Sequence, residues 1–134
     1  MGEFKILDLE VHGDQRGSLI SIESNKNIPF TLKRIYYLFN TNVSESRGFH
    51  AHRNLEQLLI CVNGSCEIKV QNNEKTSWFK LASPAKGLYI KDLVWREMHD
   101  FSHDCILLVI ASHEYDEFDY IRSFNEFKRI MNNG

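Results

Sequence analysis

Residues 47–70, RGFHAHRNLEQLLICVNGSCEIKV, carry the strongest structural signals of this chain. An apolar run at 58–62 is followed by Asn63-Gly64 and then by an alternating apolar and polar run at 65–70. Asn-Gly is a preferred two-residue turn between antiparallel strands. The pattern therefore predicts a β-hairpin.

Two histidines, His50 and His52, lie just before this predicted hairpin. Alternate side chains of a strand point to the same face, so both imidazoles should lie together. The first sequence motif of the cupin barrels has a similar spacing. Here it reads His50-x-His52, four residues, Gln57, six residues and Gly64. The chain departs from that motif at Gln57, where cupins usually have a glutamate.

Short strand patterns continue through most of the chain. Further strands are predicted at 18–23, 34–40, 78–81, 87–90 and 105–111. Many short strands without intervening helices are typical of a sandwich or barrel. We expect an all-β fold, a cupin-type jelly-roll barrel, with a short C-terminal helix.

The helix is predicted from the last twelve residues. Ser123 and Glu126 form a possible capping box at its start, and Asn132-Asn133-Gly134 should end it. The apolar side chains that share one helical face are Phe124, Phe127, Ile130 and Met131.

Length and charge limit the function. With 134 residues, the chain is predicted to form one domain over 1–134. Its 16 basic and 18 acidic residues give a formal charge of −2, which argues against general binding to nucleic acid or anionic membranes. The N-terminal residues show no targeting pattern and no segment is long enough to span a membrane, so we expect a cytoplasmic protein.

The three cysteines, Cys61, Cys66 and Cys105, lie in apolar runs and lack a Cys-x-x-Cys spacing. This pattern favours buried free thiols over disulfides or a zinc site.

A catalytic metal is not expected. The region of the second cupin motif, residues 83–90, contains no histidine, and Gln57 is a weaker ligand than a carboxylate. Glu56 should point to the opposite strand face. The other histidines lie in polar stretches and are predicted to be on the surface: His12, His99, His103 and His113.

Without a metal, a histidine pair is suited to proton transfer near neutral pH. Arg47 is close to the pair in sequence and can stabilise a developing enolate oxygen, and Tyr37 on the preceding strand can supply a phenolic donor. A polar outer strand face is the alternative interpretation. Trp95 is either a core residue or a platform for a planar ring.

A more specific resemblance extends from Asp14 to Phe127. The segments that carry it are 14–19 (DQRGSL), 27–30 (NIPF), 33–37 (KRIYY), 47–52 (RGFHAH), 63–66 (NGSC), 87–89 (GLY) and 115–122 (YDEFDYIR). Together they resemble the nucleotide-sugar 3,4-ketoisomerases, the family often called FdtA or QdtA.

The resemblance implies a homodimeric, metal-free and cofactor-free enzyme. It would convert dTDP-4-keto-6-deoxyglucose to a 3-keto-6-deoxyhexose and so feed an aminotransferase that makes 3-amino-3,6-dideoxy sugars for surface polysaccharides. The residues it assigns to catalysis are His50, as principal base, His52, Tyr37 and Arg47. Those it assigns to substrate binding are Arg16, Arg34, Gln57, Trp95 and Arg96.

Three questions stay open at the level of sequence. The configuration of the product at carbon 4 is not determined, although family members differ at the positions of Arg16 and Arg96. A 3,5-epimerase is one alternative, but the usual histidine–aspartate dyad has no obvious equivalent beside His50. A sugar-nucleotide-binding cupin without turnover is the other alternative.

Overall fold

The computed structural model describes residues 2–133 and consists almost entirely of β-strands. The strands are β1 (Glu3–Asp8), β2 (His12–Asp14), β3 (Gly17–Leu19), β4 (Arg34–Leu38), β5 (Arg47–His52), β6 (Glu56–Asn63), β7 (Cys66–Gln71), β8 (Thr76–Leu81), β9 (Lys86–Lys91), β10 (Trp95–His99), β11 (Ile106–Ala111) and β12 (Tyr120–Ile121). A 3-10 turn, Glu117–Asp119, precedes β12, and helix α1 (Phe124–Asn133) follows it.

Ten of these strands form two five-stranded antiparallel sheets. The first sheet has the order β1-β9-β6-β11-β4 and the second has the order β12-β5-β10-β7-β8, while β2 and β3 form a separate hairpin. The all-β jelly roll with a C-terminal helix is confirmed. The strand expected at 18–23 is shorter, since β3 ends at Leu19.

The hairpin predicted at residues 58–70 is wrong. The strands β6 and β7 exist, but β6 pairs with β9 and β11, whereas β7 pairs with β8 and β10. Gly64 has a φ of +68°, as the turn requires, yet the chain there crosses from one sheet to the other. Both strands direct apolar residues into the space between the sheets, so they stabilise the fold by packing face to face instead of edge to edge.

The main core lies between the two sheets. Its buried residues alternate along the strands, as in Leu59 and Cys61 of β6 and Ile68 and Val70 of β7. A second cluster covers the outer face of the first sheet, where Ile28 and Phe30 pack on that sheet. These outer contacts hold the first sheet in place without filling the barrel.

Helix α1 covers the outer face of the second sheet. Ser123 accepts a hydrogen bond at Oγ from the Glu126 backbone N–H at 3.3 Å, which is one half of the expected capping box. The Glu126 carboxylate instead accepts from Arg53 at 3.2 Å. Phe127 is buried against Trp95 and Ala51. The helix was predicted to end at residues 132–134, of which Gly134 lies outside the described residues.

Within residues 2–133, no helix has the length and apolar character needed to cross a membrane.

Candidate active site

Strand β5 places the histidine pair inside the barrel. Ala51 points outwards and is buried under α1, so its neighbours His50 and His52 point inwards, with ring centroids 4.9 Å apart. A β-bulge opposite Arg96 interrupts the pairing of β5 with β10. Gly48 and Phe49 form the bulge on β5 with φ values of +92° and +56°. The bulge therefore determines how His50 enters the barrel.

His50 lines a cavity of about 360 Å³. The other residues that line it are Arg34, Tyr36, Leu38, Arg47, Gly48, Met98, Tyr115, Tyr120 and Arg122. Burial, and then the positive charge of Arg96, lower the pKa of His50 from 6.5 to about 3. The ring is therefore a neutral proton acceptor at physiological pH.

His52 lies deeper and has a carboxylate partner. Its Nδ1 is 2.9 Å from Oδ2 of Asp119, while its Nε2 is buried without a hydrogen-bond partner within the described chain. The other oxygen of Asp119 accepts from the backbone N–H groups of Arg53 at 3.1 Å and Asn54 at 2.8 Å. Burial, Arg96 and His50 lower the pKa of His52, so the neutral ring donates from Nδ1 to the carboxylate.

A wider cavity of about 610 Å³ adjoins the first and shares Arg34, Tyr115 and Tyr120 with it. His52 and the cationic side chains of Lys33, Arg34 and Arg53 contribute to its lining. The Nε atom of Arg34 is buried without a partner within residues 2–133. A buried donor of this kind is suited to an anionic or carbonyl oxygen.

Gln57 and Arg96 form the wall behind the histidines. Arg96 is fully buried and donates from Nη1 to the Gln57 carbonyl and from Nη2 to the Val94 carbonyl at 3.2 Å. The Gln57 amide donates to the Tyr36 hydroxyl at 3.1 Å. Neither Gln57 nor Arg96 lines the two cavities, so their direct role within this chain is to fix Tyr36 and to place a charge near the histidines.

Three predicted site residues lie away from these cavities in the chain. Tyr37 is 60% exposed on the outer face of β4, because strand alternation directs Tyr36 inwards instead. Trp95 is buried under α1 and donates from its indole N–H to Glu97 at 2.9 Å, which makes it a core residue. Arg16 lies in the exposed β2–β3 hairpin, where it pairs with Asp14.

Five residues of the site were missed from the sequence. Tyr36 is adjacent to the predicted Tyr37, and only the register of β4 distinguishes them. The other four lie in the segment 115–122 that already carried the family resemblance: Tyr115, Asp119, Tyr120 and Arg122. Their place beside the histidines depends on the pairing of β12 with β5, which joins Tyr120 to His52.

The side chains around His50 and His52 provide too few ligands for a metal site. Among residues 2–133, no third histidine, cysteine or carboxylate has its ligand atom close enough to complete a group with His50 and His52. A tight divalent site usually needs at least three protein ligands.

Comparisons with known proteins agree with this geometry. A family model described as FdtA, WxcM-like, C-terminal, matches residues 2–132. The chain is 52% identical over 129 residues to a TDP-4-oxo-6-deoxy-α-D-glucose 3,4-oxoisomerase of Aneurinibacillus thermoaerophilus, covering 96% of this chain and 93% of the relative.

Two solved structures support the same family. One is a 3,4-ketoisomerase from Helicobacter canadensis, with a TM-score of 0.94, 46% identity and coverage of 97% and 98% of the two chains. The other is a histidine-to-asparagine mutant of QdtA from Thermoanaerobacterium thermosaccharolyticum in complex with TDP-4-keto-6-deoxyglucose, with a TM-score of 0.94, 39% identity and coverage of 97% and 94%. The chain therefore belongs to the FdtA family of nucleotide-sugar 3,4-ketoisomerases.

Proposed function

We propose that this protein is an isomerase that moves the ketone of TDP-4-keto-6-deoxyglucose from carbon 4 to carbon 3. The observation that carries this function is the pair of inward, neutral histidines at a cavity, in a chain 52% identical to a 3,4-oxoisomerase of that sugar. Moving a ketone to the neighbouring carbon needs proton transfers and no net oxidation. A neutral imidazole pair is suited to that task.

His50 is the proposed base. It removes the proton from carbon 3, and the electrons of that bond form the double bond of an enediol while the carbon 4 oxygen takes up a proton. Loss of the hydroxyl proton at carbon 3 and delivery of a proton to carbon 4 then complete the isomerisation. Tyr36 and Arg47, which line the same cavity, are the proposed donors to the enediol oxygens.

The diphosphate of the substrate requires local cations, since the whole chain has a formal charge of −2. Arg34 lines both cavities, and its guanidinium can bind phosphate oxygens in a bidentate manner. Arg34→Ala should therefore raise the Michaelis constant more than it lowers turnover. Unchanged TDP affinity by calorimetry would exclude Arg34 from the diphosphate site.

The proposed mechanism uses no metal. His50 and His52 lack a third metal-binding side chain among the described residues, and Gln57 is already bonded to Arg96 and Tyr36. Enzyme treated with a strong chelator should retain full turnover. Loss of activity in chelated enzyme that stays folded, restored by a stoichiometric divalent ion, would overturn this part of the proposal.

A 3,5-epimerase is the second candidate, because the structure contains a histidine–aspartate pair that the sequence did not reveal. That pair involves His52 and Asp119 and not His50. Epimerisation at carbon 5 would exchange its hydrogen with solvent, whereas ketone transfer removes the hydrogen of carbon 3 and delivers a proton to carbon 4.

The decisive experiment is an NMR time course with TDP-4-keto-6-deoxyglucose in deuterated water. We expect the carbon 3 ketone to appear without deuterium at carbon 5. His50→Asn should lose about 10²–10⁴-fold in turnover and still bind TDP. Binding without any turnover by the unaltered protein would instead support the sugar-nucleotide-binding cupin.

The assembly and location are also proposals. An exposed apolar strip follows the outer face of β4 and the loop after it, comprising Ile35 (53% exposed), Tyr37 (60%), Phe39 (60%) and Val43 (67%). Such a strip supports a homodimer. We further propose a single domain and a cytoplasmic location, where cysteines stay reduced.

A further inference from the structure

We propose that Cys61, Cys66 and Cys105 form a binding site for one thiophilic divalent metal ion, independent of the histidine site. The three residues come from the end of β6, the start of β7 and the loop before β11. Their sulfur atoms lie within 4.8 Å of one another, and all three side chains are buried.

The spacing of the sulfurs fits a three-coordinate ion. A zinc–sulfur bond is about 2.3 Å long, so three sulfurs around one ion in a plane lie about 4.0 Å apart. Cys61 and Cys105 have sulfurs 3.5 Å apart, which is slightly closer than this value. Small rotations of the side chains therefore suffice to bind an ion.

A neighbouring oxygen can supply a fourth ligand. The Asn63 carbonyl oxygen lies 3.1 Å from the Cys61 sulfur. Three thiolates and one oxygen would complete the tetrahedral coordination that zinc prefers.

The thiols must lose their protons to bind a metal ion, because the thiolate is the ligand. Binding should therefore release protons and strengthen as the pH rises.

Charge favours a divalent ion. Three thiolates around a divalent ion leave a net charge of −1, whereas a monovalent ion such as Cu⁺ leaves −2. The cluster lies among apolar core residues such as Phe101 and Leu107, where each additional uncompensated charge is costly. Soft sulfur ligands also exclude Mg²⁺ and Ca²⁺.

The cluster is distinct from the catalytic cavity. Cys61 is four residues from Gln57 along β6, a distance of about 13 Å at about 3.3 Å per residue. None of the three cysteines lines either cavity beside the histidines. A metal at this position would link both sheets with the loop before β11 and so stabilise that end of the barrel.

Titration of the reduced protein with Cd²⁺ tests the proposal, because the chain contains only these three cysteines. Any sulfur-to-cadmium charge-transfer absorption must therefore come from this cluster. We expect saturation at one Cd²⁺ per chain with release of protons, and a rise in Tm, since an ion that binds the native state stabilises it.

Cys66→Ala and Cys66→Ser are the test variants, and both should weaken Cd²⁺ binding by at least about 10-fold, because loss of a group that merely orients a ligand already costs about 10–100-fold. The double variant His50→Asn/His52→Asn is the control and should keep the full absorption. Absence of the band in folded protein, a Tm lowered by Cd²⁺, or unchanged binding in a folded Cys66 variant would each overturn the site. These results do not depend on turnover.

Discussion

At the scale of single residues, the two histidines share a strand face but have different surroundings. His50 lines the cavity with Tyr36 and Arg47, whereas His52 donates to Asp119 and has no hydrogen-bond partner for Nε2 among residues 2–133. Asp119 also accepts hydrogen bonds from two backbone N–H groups, which hold its carboxylate in place. We infer that Asp119 selects the tautomer in which Nε2 of His52 carries no proton.

Asp119→Asn tests this inference with little change in shape. The new carbonyl oxygen can still accept from the backbone of Arg53 and Asn54, while the amide must donate to His52 Nδ1. The proton then moves to Nε2. We expect turnover to fall by at least about 10-fold with TDP affinity preserved, and nitrogen NMR of the His52 ring should report the exchange of tautomer. An unchanged tautomer would rule out the positioning role.

The neighbouring tyrosines provide a matched pair of variants. Tyr36 faces the cavity and its hydroxyl accepts from Gln57, whereas Tyr37 is on the outer face. Tyr36→Phe should lower turnover by about 10²–10³-fold, the range expected for loss of a donor to a developing oxyanion. Tyr37→Phe should keep the turnover of the unaltered enzyme. Equal effects of both changes would contradict the inward placement of Tyr36.

At the scale of elements, the bulge in β5 connects the backbone to the position of the base. Gly48 adopts a φ of +92° in the bulge, and a Cβ there would lie 3.2 Å from the Arg96 carbonyl oxygen. Phe49 is held at a φ of +56°, and its ring and that of His99 form an edge-to-face pair with centroids 5.7 Å apart. A backbone in this region is costly for a bulky side chain, so the pairing with β10 must maintain it.

Gly48→Ala should therefore disturb both stability and catalysis. We expect a loss of about 1–3 kcal/mol in the free energy of unfolding, the cost of a strained backbone position, together with reduced turnover from a displaced His50. Ser123→Ala is the matched control: it removes the N-terminal cap of α1 at a cost of about 0.5–2 kcal/mol and should leave turnover unchanged. Full activity in a folded Gly48→Ala variant would show that catalysis does not depend on the bulge.

At the scale of the whole molecule, the buried histidines make stability depend on pH. The folded pKa of His50 is about 3, below its unfolded value of about 6.5, and that of His52 is also lowered. The unfolded chain therefore binds more protons than the native chain below about pH 6.5. The contribution of the two neutral histidines to the free energy of unfolding is complete above about pH 6.5 and is lost progressively as the pH falls towards about 3.

Urea unfolding between pH 7 and pH 5 measures this effect, since most carboxyl groups stay ionised there in both states. The free energy of unfolding should fall with a slope of up to about 1.4 kcal/mol per pH unit for each histidine. His50→Asn should remove one histidine's share of the slope. A slope that is the same in the variant would mean that His50 titrates normally in the folded protein.

Much of the molecule could be predicted from local patterns. Alternating strands and a capped terminal helix indicated the all-β jelly roll, and the spacing of His50 and His52 predicted their common face, because these depend on neighbours along the chain. The motifs also predicted the family, which the comparisons confirmed. The residue assignments to catalysis and binding stay predictions.

Other features depended on contacts between distant segments. Asn63-Gly64 predicted a turn but not its partners, because only the packing of the two sheets decides whether β6 pairs with β7 or faces it across the core. The register of β4 placed Tyr36 inside, and the pairing of β12 with β5 brought Asp119 to His52. The cysteines converge for the same reason, since a sequence gives spacing along the chain whereas ligand geometry depends on distances across the folded core.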